Sequence, residues 1–228
     1  SQAKDILLNS GLWPTIRQRP FSRIAAIDAS PKSIFISAVD SAPLQPDSDM
    51  LLEGQEKAFQ LGIQMLSKLT EGKINLSVSA RTKAFFSKIS GVEIHEFSGP
   101  HPAGNVGVQI HHIDRIQAGE KVWYVSPRHV AQIGKFLSSG EYPGSKTYAL
   151  TGSELEKRHY VAATEGALVN DLVDAALNKK TQRVISGNVL TGTKSSSAGF
   201  VGFYDDMITV IPELEGRRFF GWLRLGMN

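Results

Sequence analysis

What most constrains this chain is a repeated change of hydrophobic period. Residues 33–39 (Ser-Ile-Phe-Ile-Ser-Ala-Val) are apolar on both faces, as in a parallel-sheet strand covered on two sides. From Leu51 the apolar residues Ala58, Leu61, Met65, Leu66 and Leu69 recur at helical spacing while Glu53, Glu56, Lys57 and Lys68 point elsewhere, so one amphipathic helix ending at Gly72 is expected. Residues 74–78 alternate as a strand, 82–89 form a helix, and 92–97 alternate again. After a Gly and Pro loop, residues 105–113 are helical, 122–125 are a strand, and Pro127 opens a helix carrying Val130, Ile133 and Leu137. Ahead of all this, residues 3–8 form a short helix that Gly11 stops and Pro14 cannot continue, followed by a loop with Pro20 and Pro31. Parallel neighbours need a crossover and a helix is the usual one, so residues 1–143 are expected to form a Rossmann-like doubly wound α/β sheet.

Past a turn-rich boundary at residues 140–145 the order changes. Strands at 147–150 and 159–163, a helix at 168–177, and strands at 183–186 and 208–211 predict a ubiquitin-like β-grasp module over residues 144–215. Residues 195–199 (Ser-Ser-Ser-Ala-Gly) then link strands of that module. Residues 216–228 start a following region that is cut short. With no initial Met and an abrupt end at Met227-Asn228, the chain reads as a piece of a longer one.

Composition removes whole classes of function. The 228 residues contain no Cys, which excludes a disulfide, a thiolate zinc site, a cysteine-ligated iron-sulfur cluster and a catalytic thiol within this chain. Lys and Arg number 25 against 22 Asp and Glu, and the net +3 without a basic block gives no case for nucleic acid. No apolar run is long enough for a bilayer span, so any membrane contact goes through a partner.

The most site-like stretch is Phe97-Ser98-Gly99-Pro100-His101-Pro102-Ala103-Gly104-Asn105-Val106-Gly107. It lies between a strand and a helix, where an α/β sheet usually receives ligands, and its glycines allow close backbone approach to an anion. Gly99, His101, Gly104, Asn105 and Gly107 are therefore the candidate ligand-binding residues, with His101 facing a groove. The same stretch matches no dinucleotide or P-loop spacing, and it also suits a rigid loop with Asn105 capping the next helix. His95, His101, His111 and His112 are close in sequence, but adjacent His111 and His112 cannot share a helix face, and no metal site is expected. There is no G-x-S-x-G, Ser186-Gly187 reads as a turn at a strand end, and no catalytic residue is assigned. Asp40, Asp47, Asp49 and Glu53 lack the ligand order of a calcium loop. Trp13, Trp123 and Trp222 share no spacing and are expected to be buried in the core or an interface.

Five stretches together resemble a known family. They are residues 8–21 (LNSGLWPTIRQRPF), 40–47 (DSAPLQPD), 54–62 (GQEKAFQLG), 98–113 (SGPHPAGNVGVQIHHI) and 183–192 (RVISGNVLTG). The set is similar to the A subunit of the sodium-translocating NADH:quinone oxidoreductase, over nearly the whole chain. The resemblance implies a peripheral subunit on the cytoplasmic face of the bacterial inner membrane, held there by the other subunits of a complex that oxidises NADH, reduces ubiquinone and exports sodium. It also implies kinship with the flavoprotein subunit of respiratory complex I, and a β-grasp of the soluble-ligand-binding kind.

Departures from that flavoprotein pattern are equally informative. Leu8-Asn9-Ser10 stands where the flavoprotein has a glycine-rich phosphate cradle, and only Gly11, Pro14 and Thr15 echo it. Val39-Asp40-Ser41-Ala42-Pro43 replaces its acidic cofactor contacts. The expectation is a chain with no cofactor of its own, serving assembly or quinone binding in a complex whose flavins, iron-sulfur centre and ubiquinone chemistry lie in other subunits, and with no activity in isolation. The alternative is a free-standing α/β enzyme that binds a nucleotide or phosphate ligand at residues 99–107.

Overall fold

The computed structural model describes residues 2–39, 41–173, 181–196 and 198–213. Asp40, Trp222, the end of the expected 168–177 helix and the 216–228 region lie outside them. The chain divides into two compact units that meet in sequence between Gly144 and Ser145.

In the first unit, α1 (Gln2–Asn9) is followed by a 3-10 turn at Trp13–Thr15, β1 (Arg17–Arg19), β2 (Arg23–Ile24) and β3 (Ile34–Ala38). Then come α2 (Ser48–Leu51), α3 (Glu56–Ser67), β4 (Ile74–Val78), α4 (Lys83–Phe86), β5 (Glu93–Glu96), α5 (Val106–Ile113), β6 (Val122–Val125) and α6 (Pro127–Ser139). The sheet order is β2-β1-β6-β3-β4-β5, with β6, β3, β4 and β5 parallel and the β1–β2 hairpin antiparallel on the edge. Taken in chain order the parallel strands stand 3-2-1-4, so the order reverses between β3 and β6, as in a doubly wound nucleotide-binding half.

One face carries the main core. Ile34, Ile36, Leu76, Val78, Trp123 and Val125 point into it, covered by α1, α3 and α6. Helices α3 and α6 pack backbone to backbone: a Cβ on Gly62 would lie 2.1 Å from the Val130 carbonyl oxygen, and one on Gly134 1.6 Å from that of Ala58. Trp13 meets Trp123 edge-on at 5.5 Å, and the indole N–H of Trp13 donates to the Ala25 carbonyl at 2.9 Å, so both rings serve the core. The other face is covered by α5, where Ile110 packs on Phe35 and Val122.

Several boundaries differ from expectation. The helix expected from Leu51 to Gly72 is shorter, α3 running only from Glu56 to Ser67: Gly54 takes φ +71 ahead of it, and Leu51 ends the separate α2, which Asp47 caps by accepting from the Asp49 N–H. The 82–89 helix is the single turn α4. The loop around Pro20 contains a hairpin, which its short, polar strands did not announce. Strand β4 alternates in sequence but is buried throughout, since Asn75 and Ser77 lie under the second layer.

The second unit contains β7 (Ser145–Thr151), β8 (His159–Thr164), α7 (Val169–Leu172), β9 (Gln182–Ser186), β10 (Thr193–Ser195) and β11 (Met207–Pro212). Its sheet runs β10-β9-β11-β7-β8 with only β11 and β7 parallel. The first and last strands, β7 and β11, form the central parallel pair, with β8 beside β7 and the β9–β10 hairpin beside β11. Tyr148, Leu150, Val169, Val184, Ile208 and Val210 form its core. At the link expected over residues 195–199, Ser195 ends β10 and the Gly199 carbonyl accepts from the Val169 N–H at 2.9 Å; Ser197 lies outside the described residues.

Candidate functional site

Residues 98–107 leave β5 and fold back over the carboxyl end of β3, next to the reversal of strand order. The turn closes on itself, the Ala103 N–H donating to the Pro100 carbonyl at 3.0 Å and the Asn105 N–H to that of Pro102 at 2.8 Å. Both the Arg19-Pro20 and His101-Pro102 peptides are cis. Ser41 fastens the loop to β3: its Oγ accepts from the Gly104 N–H at 2.8 Å and pairs with His101 Nδ1 at 3.1 Å. From β3 itself, Ser37 Oγ donates to the Gly104 carbonyl at 3.3 Å and accepts from Gln109 Nε2 at 2.8 Å. A Cβ on Gly104 would meet the Val39 carbonyl oxygen at 2.4 Å, so only glycine permits this approach.

The five candidate residues therefore have unlike surroundings. His101 is half-buried and bonded to Ser41; Gly104 is the contact point with β3. Gly99 is exposed with φ +129, a backbone that favours glycine. Asn105 stands at the first position before α5 but makes no side-chain cap; its carbonyl, accepting from the Val108 N–H at 2.9 Å, starts the helix. Gly107 is exposed near the Arg19 guanidinium, which lies 5.3 Å from the Tyr124 ring centre. None of the five lines either of two cavities in this unit. One, of about 220 Å³, lies at the carboxyl ends of β3 and β4 beside Asp47, Ser79 and Arg81. The other, of about 360 Å³, lies at the amino ends beside Ser33, Asn75 and His95.

The histidines do not converge. His95 Nε2 pairs with Asn75 Oδ1 at 3.0 Å and His111 Nε2 with Arg115 at 3.0 Å, while the His111 and His112 rings stand edge-on at 5.4 Å. Among the described residues no three metal-ligating side chains gather. Asp49 has its carboxyl pushed above the usual range, first by burial and then by the Asp47 charge. Ser186 ends β9 and donates to Asp205 at 2.6 Å, a buried tie with no imidazole in the pair. Ser37, Ser41 and Gln109 escaped notice in the sequence. The one available signal was Gln109, a polar residue within the apolar run Val106–Ile113.

At the other stretch that echoes a phosphate cradle, near Gly11, the backbone is occupied internally. The N–H groups of Ser10, Gly11, Leu12, Thr15 and Ile16 all donate to carbonyls between Ile6 and Trp13, leaving none of them for a phosphate.

Comparison with known proteins agrees with this architecture. Residues 1–142 match the family model described as the NqrA second alpha/beta domain, and residues 147–197 match the NQRA C-terminal domain. The A subunit of the Na(+)-translocating NADH-quinone reductase of Pasteurella multocida is 36% identical over 228 residues, covering 100% of this chain and 51% of that protein. Its namesake in Neisseria meningitidis serogroup B is 37% identical over 218 residues, covering 95% and 49%. The chain thus spans about half the length of the curated relatives it matches. Among solved structures, a chain of the NAD+-reducing [NiFe]-hydrogenase in its H2-reduced state superposes with a TM-score of 0.64 over 91% of this chain and 46% of that one. At 11% identity this is a likeness of fold alone. Among the described residues no helix is long and apolar enough to cross a membrane. With the strand order, the glycine-fastened loop and a family model matching residues 1–142, the chain belongs to the NqrA family, as its second alpha/beta domain followed by the C-terminal domain.

Proposed function

We propose that this chain works as part of the A subunit of a sodium-translocating NADH–quinone reductase, a peripheral component on the cytoplasmic face of the membrane, attached through the other subunits. The supporting observation is the match, over the whole of this chain and about half of the relative, to a protein of that name at 36% identity. Within the assembly the chain holds no flavin, nicotinamide or iron-sulfur group of its own. Two features support that reading: the N–H groups near Gly11 are bonded to the chain itself, and there is no Cys. Its role is then to contribute to assembly or to quinone contact, with the fastened loop at residues 98–107 as the contact surface. Electron transfer and sodium export belong to the partner proteins.

Titration of the full chain with FMN and NADH tests the cofactor statement. No stoichiometric complex tighter than about 10 μM, roughly 7 kcal/mol, is expected. The loop is tested by His101→Ala in the assembled membrane complex, read as NADH-dependent, sodium-stimulated quinone reduction and as recovery of the intact complex. A loss in either, with the thermal transition of the chain unmoved, supports the contact role. Unchanged turnover and unchanged assembly would sink it.

A further inference from the structure

The β1–β2 hairpin carries a surface that the core does not use. Phe21, at its tip, is 79% exposed and takes φ +76, with Ser22 at φ +50. Left-handed backbone at a bulky residue is costly, and here it turns a phenyl ring towards water, where the fold gains nothing from its burial. Arg17 holds the turn by donating to the Ser22 carbonyl, and the Arg23 guanidinium lies 5.5 Å from the Phe21 ring centre. Arg17 and Arg19 both stack on the Tyr124 ring, at 5.6 and 5.3 Å from its centre, on the side of the sheet that α5 covers. Ile24, 47% exposed, pairs in register with Arg17 and so shares that side.

Charge selects the kind of partner. Residues 6–27 hold three arginines and no Asp or Glu, and residues 97–113, which include α5, hold no acid either. Among the described residues no carboxylate comes within 4.0 Å of Arg19 or Arg23, whereas Lys32, Lys73 and Lys83 of the same unit are each paired with one or two. Gly107 is exposed and has no side chain, which leaves open the approach to Arg19 Nη2, 3.8 Å from where a Cβ would stand. His111, His112 and Arg115 continue the exposed side of α5, and the nearby Asp114 is already held by Lys32. Guanidinium groups fixed on aromatic rings suit carboxylates, and arginine beside aromatic residues is the composition enriched at protein interfaces, where lysine is depleted. Neither of the two cavities described above includes a hairpin residue, so a small molecule has no enclosure here. A bilayer calls for a wider apolar face or a dense basic run, and one ring with two unmatched arginines supplies neither. Helix α1, through which the chain enters this unit, covers the opposite face of the sheet with Ala3 and Leu7, so the occupant is a separate polypeptide.

We propose that the hairpin tip and the α5 side of β1 dock an acidic segment of a neighbouring subunit, its carboxylates meeting Arg19 and Arg23 and an apolar side chain lying against Phe21 and Ile24. This gives a partner chemistry to the subunit role proposed above and rests on it.

The test uses the assembled membrane complex with Phe21 replaced by the photo-cross-linking residue p-benzoylphenylalanine. Irradiation should join the chain to another subunit, and mass spectrometry of the adduct should map it to a segment carrying Asp or Glu. Adding Arg23→Glu should cut the yield about fivefold or more, because an attraction becomes a like-charge contact. Arg23→Gln, which removes only the charge, should give an intermediate loss, and Lys88→Glu, an exposed charge outside the hairpin, should give none. An adduct with lipid alone, with the same polypeptide alone or with a segment free of carboxylates would overturn the proposal, as would a yield indifferent to Arg23→Glu. A chain that purifies with the complex yet forms no adduct sinks the docking surface and leaves the subunit role intact. A chain absent from the purified complex sinks both.

Discussion

In the first unit two helices meet backbone to backbone at Gly62 and Gly134 over a broad apolar face, whereas in the second a small sheet is tied by polar groups. Ser186 Oγ joins Asp205 and the Gly202 N–H, the Tyr148 hydroxyl accepts from the Gly166 N–H at 3.1 Å, and Glu213 bridges Arg183 and Lys194 across β10, β9 and β11. Size explains the difference. A small module buries a smaller share of its surface, so each hydrogen bond is a larger part of its margin.

The sharpest way to break that contrast is Gly134→Ala. Its Cβ would sit 1.6 Å from the Ala58 carbonyl oxygen, a backbone atom that cannot step aside, so α3 and α6 must part. A loss of about 3 kcal/mol or more is expected, seen as weakened amide protection in β3 and β4; an unchanged urea midpoint would show that the helices slide freely. Next comes Asp205→Ala in the second unit. It leaves the buried Ser186 hydroxyl without its acceptor, and about 2 kcal/mol should disappear from the protection of β9 and β11 amides. Tyr148→Phe should cost about 1 kcal/mol through the unmatched Gly166 N–H. A null result in both would mean that the small core, rather than its polar ties, holds the module.

The smallest expected effect is a pH dependence of opposite sense in the two units. The Arg183 hydrogen bond, and then that of Lys194, lower the Glu213 carboxyl from 4.5 to about 2. Its contribution is therefore present above pH 4.5 and fades as pH falls towards 2. Lys32 is raised above 10.5, first by the Asp114 hydrogen bond and then by that of Glu120; its contribution is full below 10.5 and fades as pH rises through the folded value. Lys32 is exposed and Glu213 half-buried at the surface, where solvent still screens both, so the slopes are shallow and flatten in salt. Glu213→Gln should remove the acid slope of the second unit, and Lys32→Met the alkaline slope of the first, each followed by chemical denaturation across pH.

Where the sequence was legible, local chemistry was the reason. Ser126, Pro127 and Gly140 bracket α6: the Ser126 hydroxyl caps its start and Gly140 ends it at φ +75. The apolar run around Ile34–Ala38 read directly as a buried parallel strand. The β1–β2 hairpin stayed hidden because Arg17, Gln18, Arg19 and Arg23 show no alternation, and the pairing of Arg17, Gln18 and Arg19 with Tyr124, Trp123 and Val122 depends on a strand some hundred residues away in sequence. Candidate-site residues followed the same rule. The Pro and Gly turn at 98–107 declared itself, but its fastening to Ser37 and Ser41 is a contact across a crossover, which no periodicity carries.

Gly104 has a consequence for how such a chain can change over generations. With the Val39 carbonyl 2.4 Å and the Ser41 hydroxyl 2.6 Å from where a Cβ would stand, almost every single-codon change at this position pushes the loop off β3. Altering Ser41 first gives up the hydroxyl that receives the Gly104 N–H, so neither position drifts easily alone. A lineage can lengthen or recolour the exposed turn at Gly99 and Pro100, while the step that would part the loop from β3 needs several changes at once.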